Sequence, residues 1–299
     1  MSLIAPTVII VLAVVVVPIV WSILLAFQRV RLISIQSTSL LSGYTLHNFV
    51  GVVTAPGFVG TLVTTLVYSV LGTALSIGVG LIAALALRHR FRFRGLVRSL
   101  MLLPYVAPIV AVTFVWQTML SPQFGIVNHW GQLLLGWSKP IAFLSESSNQ
   151  VSLFGWHVGI PTALITVILF ETWRQFPFAF LFLTARLQAV PATLEEAGRV
   201  DGATPLQRFR YIIWPQLLPT IAVLSVLRFV WTFTKFDDVY LLTGGAAGTE
   251  VISVRVFNFL TGRGDIGLAS AQALVIAVVL AVLVGIYLRL FRTREEDLT

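Results

Sequence analysis

Residues 193–219 read Thr193-Leu194-Glu195-Glu196-Ala197-Gly198-Arg199-Val200-Asp201-Gly202-Ala203-Thr204-Pro205-Leu206-Gln207-Arg208-Phe209-Arg210-Tyr211-Ile212-Ile213-Trp214-Pro215-Gln216-Leu217-Leu218-Pro219, a polar island between two long apolar runs. The runs on either side are too apolar for water and the island too polar for hydrocarbon, so this stretch divides the chain into crossings and a projecting loop. Thr193 and Glu196 have the T-x-x-E spacing of a capping box, which predicts a short helix starting there. Gly202 supplies the left-handed residue that ends it. Thr204 and Pro205 supply the N-cap and first position of a second helix. On that helix Leu206, Phe209, Ile212 and Ile213 recur at three- and four-residue spacing, with Gln207, Arg208 and Arg210 off the stripe. The island is therefore a helix–turn–helix with an apolar face, and such a face on a water-exposed loop needs a partner.

Outward from the island, the composition is that of an integral membrane protein: 57% hydrophobic and 11% charged over 299 residues, with a mean hydropathy of +0.93. A crossing helix needs roughly 20 apolar residues. Six windows meet this, at about 3–27, 59–87, 98–119, 158–187, 216–242 and 269–291. The expected fold is thus an all-α membrane protein, a single transmembrane domain over 1–299 with a loop at 191–219 and no room for a separate folded domain. The first window lacks a basic n-region and runs long before any cleavage site, so it reads as retained. With no cysteine, neither a disulfide nor a thiolate metal site can form. His47, His89, His129 and His157 are scattered, and no metal site or catalytic constellation is predicted.

Arginines set the orientation. Arg88, Arg90, Arg92, Arg94 and Arg98 follow the second window; Arg186, Arg199, Arg208 and Arg210 surround the island; Arg289, Arg292 and Arg294 close the chain. The opposite loops carry Arg29, Arg31, Lys139, Arg255 and Arg263, so the count is twelve against five. Both termini and the island are expected in the cytoplasm, although Met1 to Leu3 bring no basic flank. The net charge of +8 then needs no nucleic acid. The run Arg88 to Arg94, in which phenylalanines alternate with arginines, reads as an anchor at the headgroups. A phosphate-binding loop is excluded, because neither Lys139 nor Lys235 follows the glycine pattern that such a loop requires. Gly244 to Gly248 is a turn.

From Glu196 to Pro219 the chain resembles the EAA motif of transmembrane subunits of bacterial ABC importers, written EAA-x3-G-x9-I-x-LP. Glu196-Ala197-Gly198, Gly202, Ile212 and Pro215 fit its spacing, with Gly198 in place of the second alanine and Trp214 in place of leucine. Asp201-Gly202-Ala203, Phe209 and Pro219 resemble the carbohydrate-uptake branch, the maltose-type permeases. So do Leu103-Pro104-Tyr105 with Pro108, Leu187 to Pro191, and Phe236-Asp237 leading to Leu242 to Gly245. The resemblance runs from about the second window to the sixth. It implies the type I ABC importer permease fold and an assembly with a second permease subunit, two copies of a cytoplasmic ABC ATPase and an external solute-binding protein. ATP and Mg would bind the partner ATPase, leaving no cofactor and no enzymatic activity in this chain. Localisation would be the bacterial plasma (inner) membrane. The coupling residues implied are Glu195, Glu196, Ala197, Gly198, Asp201, Gly202, Ala203, Leu206, Phe209, Ile212 and Pro215, with Glu196 paired to a basic ATPase residue.

Charges within apolar windows mark a second candidate site. Glu171 and Arg174 lie one turn apart in the fourth window; Arg228 and Lys235 lie about two turns apart in the fifth. Matching positions of the maltose-type permeases nominate Tyr105, Ile109, Arg174, Gln175, Phe178, Arg228, Trp231, Thr232 and Lys235 as lining a sugar path. Aromatic faces would stack on sugar rings, and amide, hydroxyl and guanidinium groups would bind hydroxyls. The same charges read as ion pairs would only hold the bundle together, and Lys235 with Asp237 and Asp238 would snorkel to the outer interface. Three cations at one level leave an anionic cargo open, a sugar acid or a polyol phosphate. An ion-driven secondary transporter is the alternative of another class, but the halves show no inverted repeat.

Overall fold

The computed structural model describes residues 5–33, 43–89, 91–147, 149–153 and 156–296. Met1 to Leu3 and Arg90 lie outside the described residues, as do the side chains of His157, Arg292 and Arg294. In chain order the described helices and strands are α1 (Ala5–Ala26), α2 (His47–Thr54), α3 (Phe58–Ala86), α4 (Arg94–Val106), α5 (Ile109–Met119), α6 (Ile126–Leu135), β1 (Asn149–Leu153), β2 (Trp156–Ile160), α7 (Thr162–Gln188), α8 (Ala192–Val200), α9 (Pro205–Phe233), α10 (Asp237–Thr243), α11 (Ile252–Thr261) and α12 (Ile266–Glu296). Helices α1, α3, α7, α9 and α12 are long and apolar enough to cross a membrane, and α4 with α5 makes a sixth crossing if counted together.

The windows read from sequence are present, with corrections at their ends. The third, read as one span, is bent by 95° between α4 and α5. Pro108 is the cause: it disfavours helical backbone in the residue before it, and Ala107 is extended at ψ 141°. In the fourth window, residues 158–160 belong to a β-strand that pairs antiparallel with β1 from Asn149↔Ile160 to Leu153↔Trp156. Helix α7 starts only beyond Pro161, which cannot donate to a ladder. In the fifth window the helix stops at Phe233, and the residues read as its end form the separate α10, closed by Gly244 at φ +64°. That helix also reaches back to Pro205, so the second arm of the island and the fifth span are one continuous helix. A π-helical stretch, Phe209–Ile213, lies just before Pro215. Proline has no N–H to give four residues back, and a local widening of the helix accommodates the missing bond.

The chain divides into two compact units, residues 1–65 with 250–299, and residues 66–249. In the first, α12 packs on α1, α2 and α11. Asn48 ties α2 to the end of α1 by donating to the carbonyls of Ala26 and Gln28 at 2.9 and 2.8 Å. Gly267 passes so close that a Cβ there would lie 2.3 Å from the Gln28 oxygen. Arg255 donates to the Pro56 carbonyl at 2.9 Å and to Thr61 at 3.3 Å, and faces Glu250 at 3.8 Å. From Val8 to Val20 the large apolar side chains of α1 are exposed, which only a lipid or protein neighbour makes tenable.

The second unit holds the larger core. Ile77, Ala83 and Ala84 of α3 meet Ala179, Phe180, Leu183 and Leu187 of α7 and Ile213, Leu217 and Leu224 of α9. Helices α3 and α7 approach closely at Gly80, where a Cβ would lie 2.8 Å from both Ala179 Cβ and the Phe180 nitrogen. Small residues of this kind let membrane helices gain dispersion contact where no hydrophobic drive exists between them.

Candidate functional site: the projecting hairpin and a buried polar network

The hairpin is built by two terminators. Helix α8 ends as a Schellman motif: Gly202 takes φ +77°, its N–H donates to the Arg199 carbonyl at 3.1 Å, and the Ala203 N–H reaches the Gly198 carbonyl at 2.9 Å. Helix α9 begins with the capping box that sequence reading assigned elsewhere. The Gln207 N–H donates to Thr204 Oγ1 at 3.3 Å and the Thr204 N–H donates to Gln207 Oε1 at 2.8 Å. The box expected at Thr193 and Glu196 does not form. Pro191, extended, starts α8 at Ala192 with no side-chain cap, which puts Thr193 inside the first turn.

The two arms close on each other at Gly198. A Cβ there would lie 2.9 Å from Ile212 Cδ1 and 3.4 Å from Arg208 Cγ, so glycine in place of the motif's alanine lets Ile212 of α9 nest against α8. The apolar face expected on the second arm is divided. Leu206 is 74% exposed, Phe209 and Ile212 are half-buried, and Ile213 belongs to the core. With Val200 at 88% exposure, Leu206 and the exposed Ala197 leave an apolar surface near the tip. The two glutamates also differ. Glu195 forms an ion pair with Arg88, beyond the end of α3, whereas Glu196 is exposed and forms no ion pair among the described residues. Asp201, Gly202 and Pro215 are exposed and Ala203 half-buried.

Within the second unit, the intramembrane charges read from sequence come together with two acids. Arg228 of α9 is 1% exposed and donates to Glu171 Oε1 at 2.5 Å, Gln175 Oε1 at 3.0 Å and Thr232 Oγ1 at 3.3 Å. Thr232 also donates to Glu171 at 3.2 Å. One turn along α7, Arg174 donates to Asp238 Oδ1 at 3.0 Å, and Lys235 stands 3.8 Å from Asp238 Oδ2. Gly72 of α3 lies against this network: a Cβ there would come within 3.3 Å of Glu171 Cγ and 3.4 Å of Thr232 Cγ2. Asp238 is fully buried, which corrects the expectation that it snorkels to an interface; Asp237, its neighbour, is the exposed one.

The nominated aromatic residues form a separate group. Phe178 sits 5.2 Å from Trp231, 6.1 Å from Tyr105 and 4.8 Å from Phe182, ring centre to ring centre. Tyr105 and Trp231 are well exposed and Ile109 half-buried. Apart from Ile109, the nominated positions thus resolve into an aromatic surface (Tyr105, Phe178, Trp231), a buried polar layer (Gln175, Arg228, Thr232), and two half-buried cations, Arg174 and Lys235, on Asp238. Sequence reading missed Asp238 as the second acid. Its i, i+3 spacing from Lys235 was the available signal. The Arg88–Glu195 pair, 107 residues apart, carried no signal in one sequence.

Five long apolar helices, with α4 and α5 as a sixth crossing when counted together, a capped hairpin between α7 and α9, and charges paired inside the bundle define a polytopic membrane protein. The comparison with known proteins agrees: residues 76–295 match the family described as binding-protein-dependent transport system inner membrane component, and the chain belongs to that family. It is similar to the inner membrane ABC transporter permease protein YcjO of Escherichia coli (strain K12), 33% identical over 93% of this chain and 89% of that one. It is also similar to the trehalose/maltose transport system permease protein MalF of Thermococcus litoralis, 32% identical over 84% of this chain and 80% of that one. The fold is that of a chain in the crystal structure of a bacterial ABC transporter involved in the import of the acidic polysaccharide alginate. The TM-score is 0.81 at 23% identity, over 98% of this chain and 94% of that one.

Proposed function

We propose that this chain is one permease of an ATP-driven importer for a sugar or oligosaccharide. In this reading it works with a second permease, two copies of a cytoplasmic ATPase and an external solute-binding protein, with both termini and the hairpin in the cytoplasm. The observation that carries it is the hairpin itself. A rigidly terminated lever, continuous with a crossing helix, presents exposed Glu196, Val200 and Leu206. ATP, with Mg, would bind the partner and close its subunits. The hairpin would follow, and because its second arm is the fifth span, displacement at the tip would pass into the bundle along one continuous helix. Differential contact of the tip with the two ATPase states supplies the bias, since a partner indifferent to them shifts nothing.

The sugar class is supported by the relative that carries trehalose and maltose in its name and by the half-exposed aromatic surface of Tyr105, Phe178 and Trp231, which suits sugar rings. Glu171 and Asp238 offset two of the three cations behind it, which leaves less positive charge for a sugar acid or polyol phosphate than three cations alone would offer. The test is Glu196→Ala in the assembled transporter in vesicles. Import should fall at least about tenfold, as expected when a charge-assisted interface contact is lost, while the protein still inserts in the membrane. Import at the unaltered rate would refute the docking assignment.

A further inference from the structure

A cavity of about 650 Å³ opens at the root of the hairpin, where the ends of α3 and α7 and the starts of α4 and α8 converge. Its walls carry Arg88, Arg94, Arg98 and Arg199 against Glu195 and Glu196. Arg88 is neutralised by Glu195, and Arg98 is fixed on one side by donating to the Leu87 carbonyl at 3.2 Å. That leaves Arg199 with unpaired Glu196 on α8, and the pair Arg94 and Arg98, four residues apart on one face of α4, with no acid bound to either among the described residues. Like charges at this spacing repel, and Arg94 stands at the N-terminus of a 13-residue helix, whose free N–H groups add positive potential. Three buried donors of residues in the wall also lack a hydrogen-bond partner: Arg94 Nε, Arg98 Nε and Thr184 Oγ1.

We propose that this cavity binds a phosphate-bearing anion, held by Arg94 and Arg98 with Thr184 beside them. Guanidinium groups give a phosphate several parallel charge-assisted hydrogen bonds, and a bound anion would cancel the repulsion between the two arginines. The chemistry is shared by an anionic lipid headgroup and a small soluble phosphate. The proposal needs neither the import reading nor the orientation assigned above. The hairpin is close at hand, because the Arg88–Glu195 ion pair that ties α8 to the end of α3 lines the same cavity.

The test uses the intact assembly in nanodiscs, which expose both faces. In one arm, discs of phosphatidylcholine with and without phosphatidylglycerol are compared, and native mass spectrometry counts the anionic lipids retained after detergent release. In the other, phosphatidylcholine discs are titrated with inorganic phosphate. Retention of phosphatidylglycerol without phosphate binding identifies a headgroup site; saturable phosphate binding identifies a soluble ligand. In either arm Arg94→Gln with Arg98→Gln should weaken binding about tenfold or more, and Arg98→Lys should keep part of it. Should the double variant fail to assemble, the unaltered protein decides alone. Binding in neither arm, or binding that these substitutions leave unchanged, overturns the proposal.

Discussion

Replacing Glu171 with alanine strands Arg228, and the structure fixes what that should cost. Glu171 is fully buried and Arg228 nearly so, and their contact is 2.5 Å. At a charge separation of about 4 Å and an effective dielectric of about 20, the attraction is about 4 kcal/mol. Removing one member of a buried pair costs roughly 3–5 kcal/mol, because the other charge stays buried without compensation. Gln175 and Thr232 would still accept from Arg228 after the change, at 3.0 and 3.3 Å, while its Nε already has no partner. The expectation is therefore the lower end, about 3 kcal/mol. Glu171→Gln, which keeps an acceptor but not the charge, should lose about half of that. Glu171→Leu combined with Arg228→Met should recover most of it, since a well-packed apolar pair often equals or exceeds a buried ion pair. Reversible unfolding in mixed micelles, compared for the unaltered protein and these three variants, measures these differences. A loss below about 1 kcal/mol for Glu171→Ala, or a double variant no better than the single one, would refute the claim that this pair holds α7 to α9.

Four further expectations concern the lever, the packing and the cargo surface. Gly202→Ala meets nothing within 4 Å, so its cost is backbone strain alone at φ +77°, about 1–2 kcal/mol; protease sensitivity of the hairpin should rise, and an unchanged digestion pattern would count against the Schellman turn. Gly198→Ala needs only the end of Ile212 to move and should preserve import, whereas Gly198→Leu should splay the arms and abolish it. Gly80→Leu should prevent assembly, since a Cβ there already meets the Phe180 backbone at 2.8 Å; recovery of normal amounts of assembled complex would contradict the close approach of α3 and α7. Trp231→Ala should raise the substrate concentration for half-maximal import up to about tenfold without lowering expression, as expected for the loss of an aromatic contact worth about 0.5–1.5 kcal/mol; an unchanged value would remove the aromatic surface from the sugar path.

Crossings were legible because hydrophobic length is a one-dimensional property. About twenty apolar residues must span hydrocarbon whatever the rest of the chain does, and the six windows fell where α1, α3, α4 with α5, α7, α9 and α12 lie. Turn chemistry was legible at Gly202, Thr204 and Pro205, where local backbone preference and local hydrogen bonds decide. It failed at Thr193, since a T-x-x-E spacing does not say where a preceding proline will start the helix. It also failed at Ala107, where a single residue before Pro108 turns a span through 95°.

Which charges neutralise which was settled only by the folded bundle. The sequence supplied Glu171, Arg174, Arg228 and Lys235 as costly groups that must find partners, and desolvation makes that demand independent of fold. It could not say that Asp238 is the second acid, that Arg88 holds Glu195 across 107 residues, or that Arg94 and Arg98 are left facing a cavity beside them. Those pairings depend on helix rotation and on the close approaches at Gly72, Gly80 and Gly198, which are properties of several helices packed at once.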